Sequence, residues 1–96
     1  MYACLTTIRL SAGMRTAMEQ RADRSAPTYR GMKGFRSVTY LIDETTNEYG
    51  SFSVWDSRAD AEAAGASTRA RMTQGVSASA QEPPASRVFE IYEPTS

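Results

Sequence analysis

Ninety-six residues form one domain, 1–96, and leave no room for a second core. Much of the 41% hydrophobic content is alanine, so few large side chains serve each element, and a partner subunit is expected to complete the core. Eleven basic and eleven acidic residues cancel, which argues against nucleic-acid and anionic-membrane binding, while the absence of histidine removes the commonest general base near neutral pH, the usual proximal haem ligand and most zinc geometries.

Residues 2–10, YACLTTIRL, predict a first strand, with Tyr2, Cys4, Thr6, Ile8 and Leu10 on one face. Ser11 is an expected N-cap for a helix from about Ala12 to Ser25, on which Met14, Ala17, Met18, Arg21 and Ala22 recur at helical spacing. Pro27 is expected to end or kink it, leaving Thr28 to Lys33, with Tyr29, as a connector. Phe35 to Ile42 and Glu48 to Trp55 predict a hairpin about the polar segment Asp43 to Asn47, where Asn47 serves the turn. Ser57 and Asp60 predict a capping box for a helix over about Arg58–Thr73, which Gly65 weakens by about 1 kcal/mol. A loop over Val76–Ala85, with Pro83 and Pro84, precedes a fourth strand at Arg87–Tyr92.

The order β-α-β-β-α-β predicts an α+β, ferredoxin-like fold: an antiparallel four-stranded sheet with two helices on one face. A lone cysteine permits no internal disulfide, and without a basic partner in the sequence Cys4 reads as an inert buried thiol. The N-terminus lacks the pattern of a signal peptide and no window suits a membrane span, so a cytoplasmic location is expected.

A symmetric hairpin that pairs Ile42 with Tyr49 also pairs Tyr40 with Ser51, Val38 with Ser53 and Arg36 with Trp55, which puts these side chains on one face. That face mixes aromatic walls, hydroxyls and an arginine, as small-molecule pockets do. The opposite face receives Phe35, Leu41, Phe52 and Val54. A slip of one residue would exchange the strand-two residues beside Trp55. Each side chain also has a structural reading: Trp55 as core filler, Arg36 as a solvated ion pair, Met14, Met18 and Met32 as packing residues.

Gly34-Phe35 opening the second strand, the polar hairpin, Ser53-Val54-Trp55-Asp56-Ser57 and Asp60-Ala61-Glu62-Ala63-Ala64 give the chain a pattern that resembles the antibiotic biosynthesis monooxygenase family. The resemblance covers nearly the whole chain and implies a homodimer, a dimeric α+β barrel in which two sheets pack face to face. It implies a pocket in each subunit between sheet and helices, for a small apolar or aromatic ligand. The haem-degrading branch uses an asparagine on the first strand, a tryptophan ending the third and a histidine in the next helix. Here these positions hold Thr6, Trp55 and no histidine, which disfavours haem degradation. Where one quinone-forming enzyme type has asparagine four residues before its tryptophan, this chain has Ser51.

The activity so implied is oxygenation of an electron-rich aromatic (a phenol, hydroquinone or anthrone) without metal, flavin or other cofactor. Trp55 would wall the substrate, Tyr40 would relay a proton and Arg36 would stabilise an anion; Thr6, Tyr49, Ser51, Ser53 and Met18 would contact the substrate. The alternative is a non-catalytic homodimer of the same fold that binds a small molecule or acts in a stress response.

Overall fold

The computed structural model describes residues 1–76 and 79–94, and in it six elements follow the expected order: β1 (Tyr2–Arg9), α1 (Arg15–Arg30), β2 (Phe35–Asp43), β3 (Glu48–Trp55), α2 (Arg58–Val76) and β4 (Ala85–Glu90). The strands form one antiparallel sheet in the order β2-β3-β1-β4. The helices cover the face that carries Cys4, Thr6, Ile8, Tyr49, Ser51, Ser53 and Trp55, all of them buried. Among the described residues, no helix is long and apolar enough to cross a membrane.

Two linked clusters make the core. Ile8, Leu10, Met18, Tyr49 and Met72 fill one end of the sheet, and Cys4, Tyr29, Trp55, Ala61 and Ala64 fill the other. Alanines contribute little area, and Trp55, Tyr29 and Leu10 are the largest of the fully buried side chains, at about 1.5–3 kcal/mol for each such side chain. Gly65, midway along α2, has a packing reason: a Cβ on it would lie 3.0 Å from Cys4 Sγ and 3.1 Å from Ser86 Oγ. Gly65 thus lets α2 approach β1 and β4 at a cost in intrinsic helix propensity.

The hairpin pairs Ile42 with Tyr49, Tyr40 with Ser51 and Val38 with Ser53, as its symmetry predicts. Asp43 Oδ1 accepts from Thr45 N–H at 3.0 Å, and Asn47 takes the left-handed conformation (φ 58°) that asparagine tolerates. The expected pairing of Arg36 with Trp55 does not occur. An irregularity between Phe35 and Ser37 leaves Arg36 as the extra residue and sets Phe35 opposite Trp55. Phe35 therefore packs on the helix side, and Arg36 turns out to solvent.

Helix α1 departs from expectation at both ends. It begins at Arg15, after a turn through Gly13 at φ 83°, and no side chain caps it, so Ser11 is not its N-cap. It also runs through Pro27 to Arg30. Proline removes a hydrogen bond there, but the last turn is held by Tyr29, which is 2% exposed and hydrogen-bonded through its phenol. Ser57 does cap α2, its Oγ accepting from Asp60 N–H at 3.1 Å. That helix reaches Val76, beyond the expected Thr73.

The expected loop over 76–85 includes Ser77 and Ala78, which lie outside the described residues. Beyond them, Ala80 bridges to Leu10, and Gln81 N–H donates to Arg9 O at 2.8 Å. Strand β4 lies two residues earlier than expected; Ile91 adds only a backbone bond to Met1 O, and Tyr92 is exposed.

Candidate functional site

Helix α1 is tied to α2 and to the hairpin at a few points, and between them lies a cavity of about 560 Å³. The sheet supplies Tyr40, Tyr49 and Ser51, α2 supplies Thr68, Arg71 and Met72, and α1 supplies Met18 and Tyr29, with Glu19 and Asp23 nearer the mouth. Apolar walls with few convergent polar groups are the usual make-up of a small-molecule site.

A chain of hydroxyls runs along one wall. Thr68 Oγ1 donates to Ala64 O at 2.8 Å and so receives the Tyr29 phenolic proton at 2.5 Å. Ser51 Oγ lies 3.2 Å from the same phenol and can donate to it. The Arg71 guanidinium sits 5.0 Å from the centre of the Tyr29 ring and reaches Thr68 Oγ1 from Nη2 at 3.4 Å. These bonds fix Tyr29, Thr68 and Arg71 in place before any ligand arrives.

Tyr40 is different. Its phenolic oxygen is buried and is the one buried side-chain polar atom among the described residues without a hydrogen-bond partner. Burial, and secondarily the neighbouring Tyr29, push its pKa up to about 12. At neutral pH Tyr40 is thus a protonated donor, not a tyrosinate base. A ligand acceptor placed against it would satisfy a group that the free protein leaves unpaired.

Of the residues expected from the sequence, Tyr40, Tyr49, Ser51 and Met18 meet at this cavity. Trp55, Ser53 and Thr6 do not line it. Trp55 is fully buried beside Tyr29, with ring centroids 6.2 Å apart, and Phe35 packs edge-on against it at 5.6 Å. Trp55 Nε1–H donates to Ser53 Oγ at 2.8 Å, which in turn donates to Cys4 O at 3.4 Å. Thr6 is buried with its Oγ1 3.7 Å from Cys4 Sγ, and burial pushes the Cys4 thiol up from its ordinary pKa. Arg36 is corrected outright: the irregular pairing carries it to the surface, where its Nε donates to Asp56 Oδ1 at 2.5 Å.

Thr68 and Arg71 lie outside the residues expected from the sequence as contacts. One signal for them exists. Ala61, Ala64, Gly65, Thr68 and Met72 follow one helical stripe, and the hydroxyl in that stripe marks where the buried face becomes polar. Among the described residues no cluster of histidine, cysteine, aspartate or glutamate could hold a metal ion.

Comparison with known proteins finds the same fold. A structure of Rv0793 from Mycobacterium tuberculosis is similar over 99% of this chain and 98% of that one, at 19% identity and a TM-score of 0.73. A monooxygenase from the gene ActVA-Orf6 of Streptomyces coelicolor, solved with the ligand Nanaomycin D, is similar over 97% of this chain and 88% of that one, at 17% identity and a TM-score of 0.74. A mutant of MhuD with two manganese protoporphyrin IX molecules bound per active site is similar over all of this chain and 99% of that one, at 19% identity and a TM-score of 0.73. At these identities the likeness is one of fold. No curated protein matches the sequence. The family model described as antibiotic biosynthesis monooxygenase matches residues 1–83, all of the elements up to β4, and the chain belongs to that family.

Proposed function

We propose that the chain is a monooxygenase whose α1–sheet cavity takes an electron-rich aromatic: a phenol, hydroquinone or anthrone. The observation that carries this reading is the buried, unpartnered hydroxyl of Tyr40, a residue that lines an otherwise largely apolar chamber. An aromatic ring suits the Met18, Tyr49 and Met72 walls, and a ring carbonyl or hydroxyl suits Tyr40. For an anthrone the balanced reaction replaces the two hydrogens of the reactive carbon with one oxygen of O₂ and releases water. The deprotonated substrate supplies the electrons. Tyr40 donates its proton toward the developing oxyanion, and Asp23, Glu19 or a water takes the substrate proton at the mouth. Trp55 enters this reading as the support for Tyr29.

The same cavity serves the alternative reading, a non-catalytic small-molecule binder, which the lack of a histidine base favours. Oxygen uptake measured with anthrone and hydroquinone, alongside their binding, separates the two. Binding with uptake that falls in Tyr40→Phe supports the oxygenase, binding without uptake supports the binder, and no binding of either rejects the cavity as the site.

A homodimer belongs to this proposal. The sheet face away from the helices exposes Leu41, Phe52 and Phe89, and a second sheet packed on it would cover them. Light scattering is expected to give twice the chain mass at micromolar concentration; a stable monomer would count against the barrel.

A further inference from the structure

Beside the cavity, Arg21, Arg24, Ser25 and Thr28 recur along one face of α1, and Arg71 of α2 closes the space they face, a notch of about 130 Å³. No carboxylate lines it. Among the described residues none of its three arginines forms an ion pair, although eleven acidic side chains are present in the chain. Two of the arginines are held in position through only part of their donor sets. Arg21 Nη2 donates to Arg71 O at 3.1 Å, and Arg71 donates to Ser67 O from Nε and to Thr68 Oγ1 from Nη2, both at 3.4 Å. Gly75 makes room for this: a Cβ there would collide with the Arg21 guanidinium. Arg24 adds a third fork, and Ser25 and Thr28 add hydroxyl donors. No carboxylate lines the space these three guanidinium groups border, and an oxyanion is the ligand that satisfies such bidentate donors.

The notch also shares part of its wall with the cavity. Arg21, Ser25 and Arg71 line both, with the acidic Glu19 and Asp23 on the cavity side only. We infer that the notch is an oxyanion-binding annex, and that it takes the carboxylate of the aromatic molecule held in the cavity. This rests on the cavity reading above and narrows the ligand to an aromatic acid, its ring in the chamber near Tyr40 and its carboxylate among the arginines. Arg71 joins the two compartments because its guanidinium both stacks on Tyr29 and borders the notch.

The test compares anthraquinone-2-carboxylate with anthraquinone-2-carboxamide by calorimetry, in wild type, Arg24→Gln, Arg24→Lys and Arg71→Gln. Arg24 is the exposed member and makes no bond that the fold needs. The carboxylate is expected to bind about tenfold more tightly than the amide. That ratio should fall to within about twofold of one in Arg24→Gln and be partly kept in Arg24→Lys. Equal affinities in wild type, or a preference that survives both glutamine variants, would overturn the annex and leave the cavity reading standing. A second arm titrates sodium sulfate against sodium chloride at matched ionic strength, followed by the arginine Nε–H NMR signals. Should neither anthraquinone bind, saturable sulfate shifts lost in Arg24→Gln would retain the oxyanion site with a free anion as its source, and their absence would reject it.

Discussion

Trp55 and Tyr29 pack together with ring centroids 6.2 Å apart, but Tyr29 lines the cavity and the indole does not, having no exposed surface. The tryptophan therefore acts on a ligand through the position of Tyr29. Its own indole N–H is used within the sheet, on Ser53.

Trp55→Phe is accordingly expected to show first in stability. It empties part of the core and leaves Ser53 Oγ without its donor, at a cost of about 1–3 kcal/mol in urea unfolding. Binding of an anthraquinone probe should change by less than about threefold if Tyr29 keeps its bonds to Thr68 and Ser51. A variant of wild-type stability that has lost binding would instead place the indole in contact with the ligand.

Arg36→Ala is expected to do almost nothing. The Arg36–Asp56 pair is about half exposed on both sides, 53% and 55%, so it contributes no more than about 1 kcal/mol. Calorimetric binding of the probe should stay at the wild-type value. A binding loss of tenfold or more would show that the arginine turns inward when the ligand enters.

The contrast between these two positions shows what the sequence could reveal. The polar turn and the alternating runs on either side fix the pairing of Tyr40 with Ser51, because turn length sets register. The irregularity at Arg36 is not fixed by turn length, and it accompanies the packing of Phe35 against Trp55. Pro27 misleads in the other direction. Its local effect predicts a helix end, whereas the buried bonds of Tyr29, on elements distant in sequence, hold one more turn. Thr68 and Arg71 are hard to see because the α2 stripe consists of small residues, whose periodic hydrophobicity is weak. Order, faces and most of the hairpin are local properties, while the wall of hydroxyls depends on where α1 and α2 meet.

Gly34→Ala tests the joint between α1 and β2. Gly34 has φ 77°, its carbonyl accepts from Asp56 N–H at 2.9 Å, and a Cβ would run into the Asp60 carboxylate in the first turn of α2. Alanine is therefore strained by its backbone and crowded by Asp60, and a loss of about 1–3 kcal/mol is expected in thermal or urea unfolding. An added Asp60→Ala change should recover only the crowding part. Full recovery would mean that the backbone conformation costs nothing there.

Tyr40→Phe should separate ligand binding from stability more cleanly than any other substitution. The phenolic oxygen has no partner in the free protein, so its removal is expected to leave unfolding within about 0.5 kcal/mol of wild type. Binding of anthraquinone-2-carboxamide, which presents carbonyl acceptors, should weaken by about tenfold. The pH dependence carries a defined sign. Burial raises this phenol from its ordinary value near 10 to about 12, so between those two pH values the unfolded chain has lost a proton that the folded chain still holds. Titration of Tyr40 therefore leaves stability untouched below pH 10 and lowers it as the pH rises through 10 toward 12. Tyrosinate absorbance should show a late step that Tyr40→Phe removes, and the variant should lose stability less steeply than wild type over that window. A large stability loss at neutral pH together with no late step would mean that the hydroxyl already has a partner, and the ligand contact assigned to it would fall with that result.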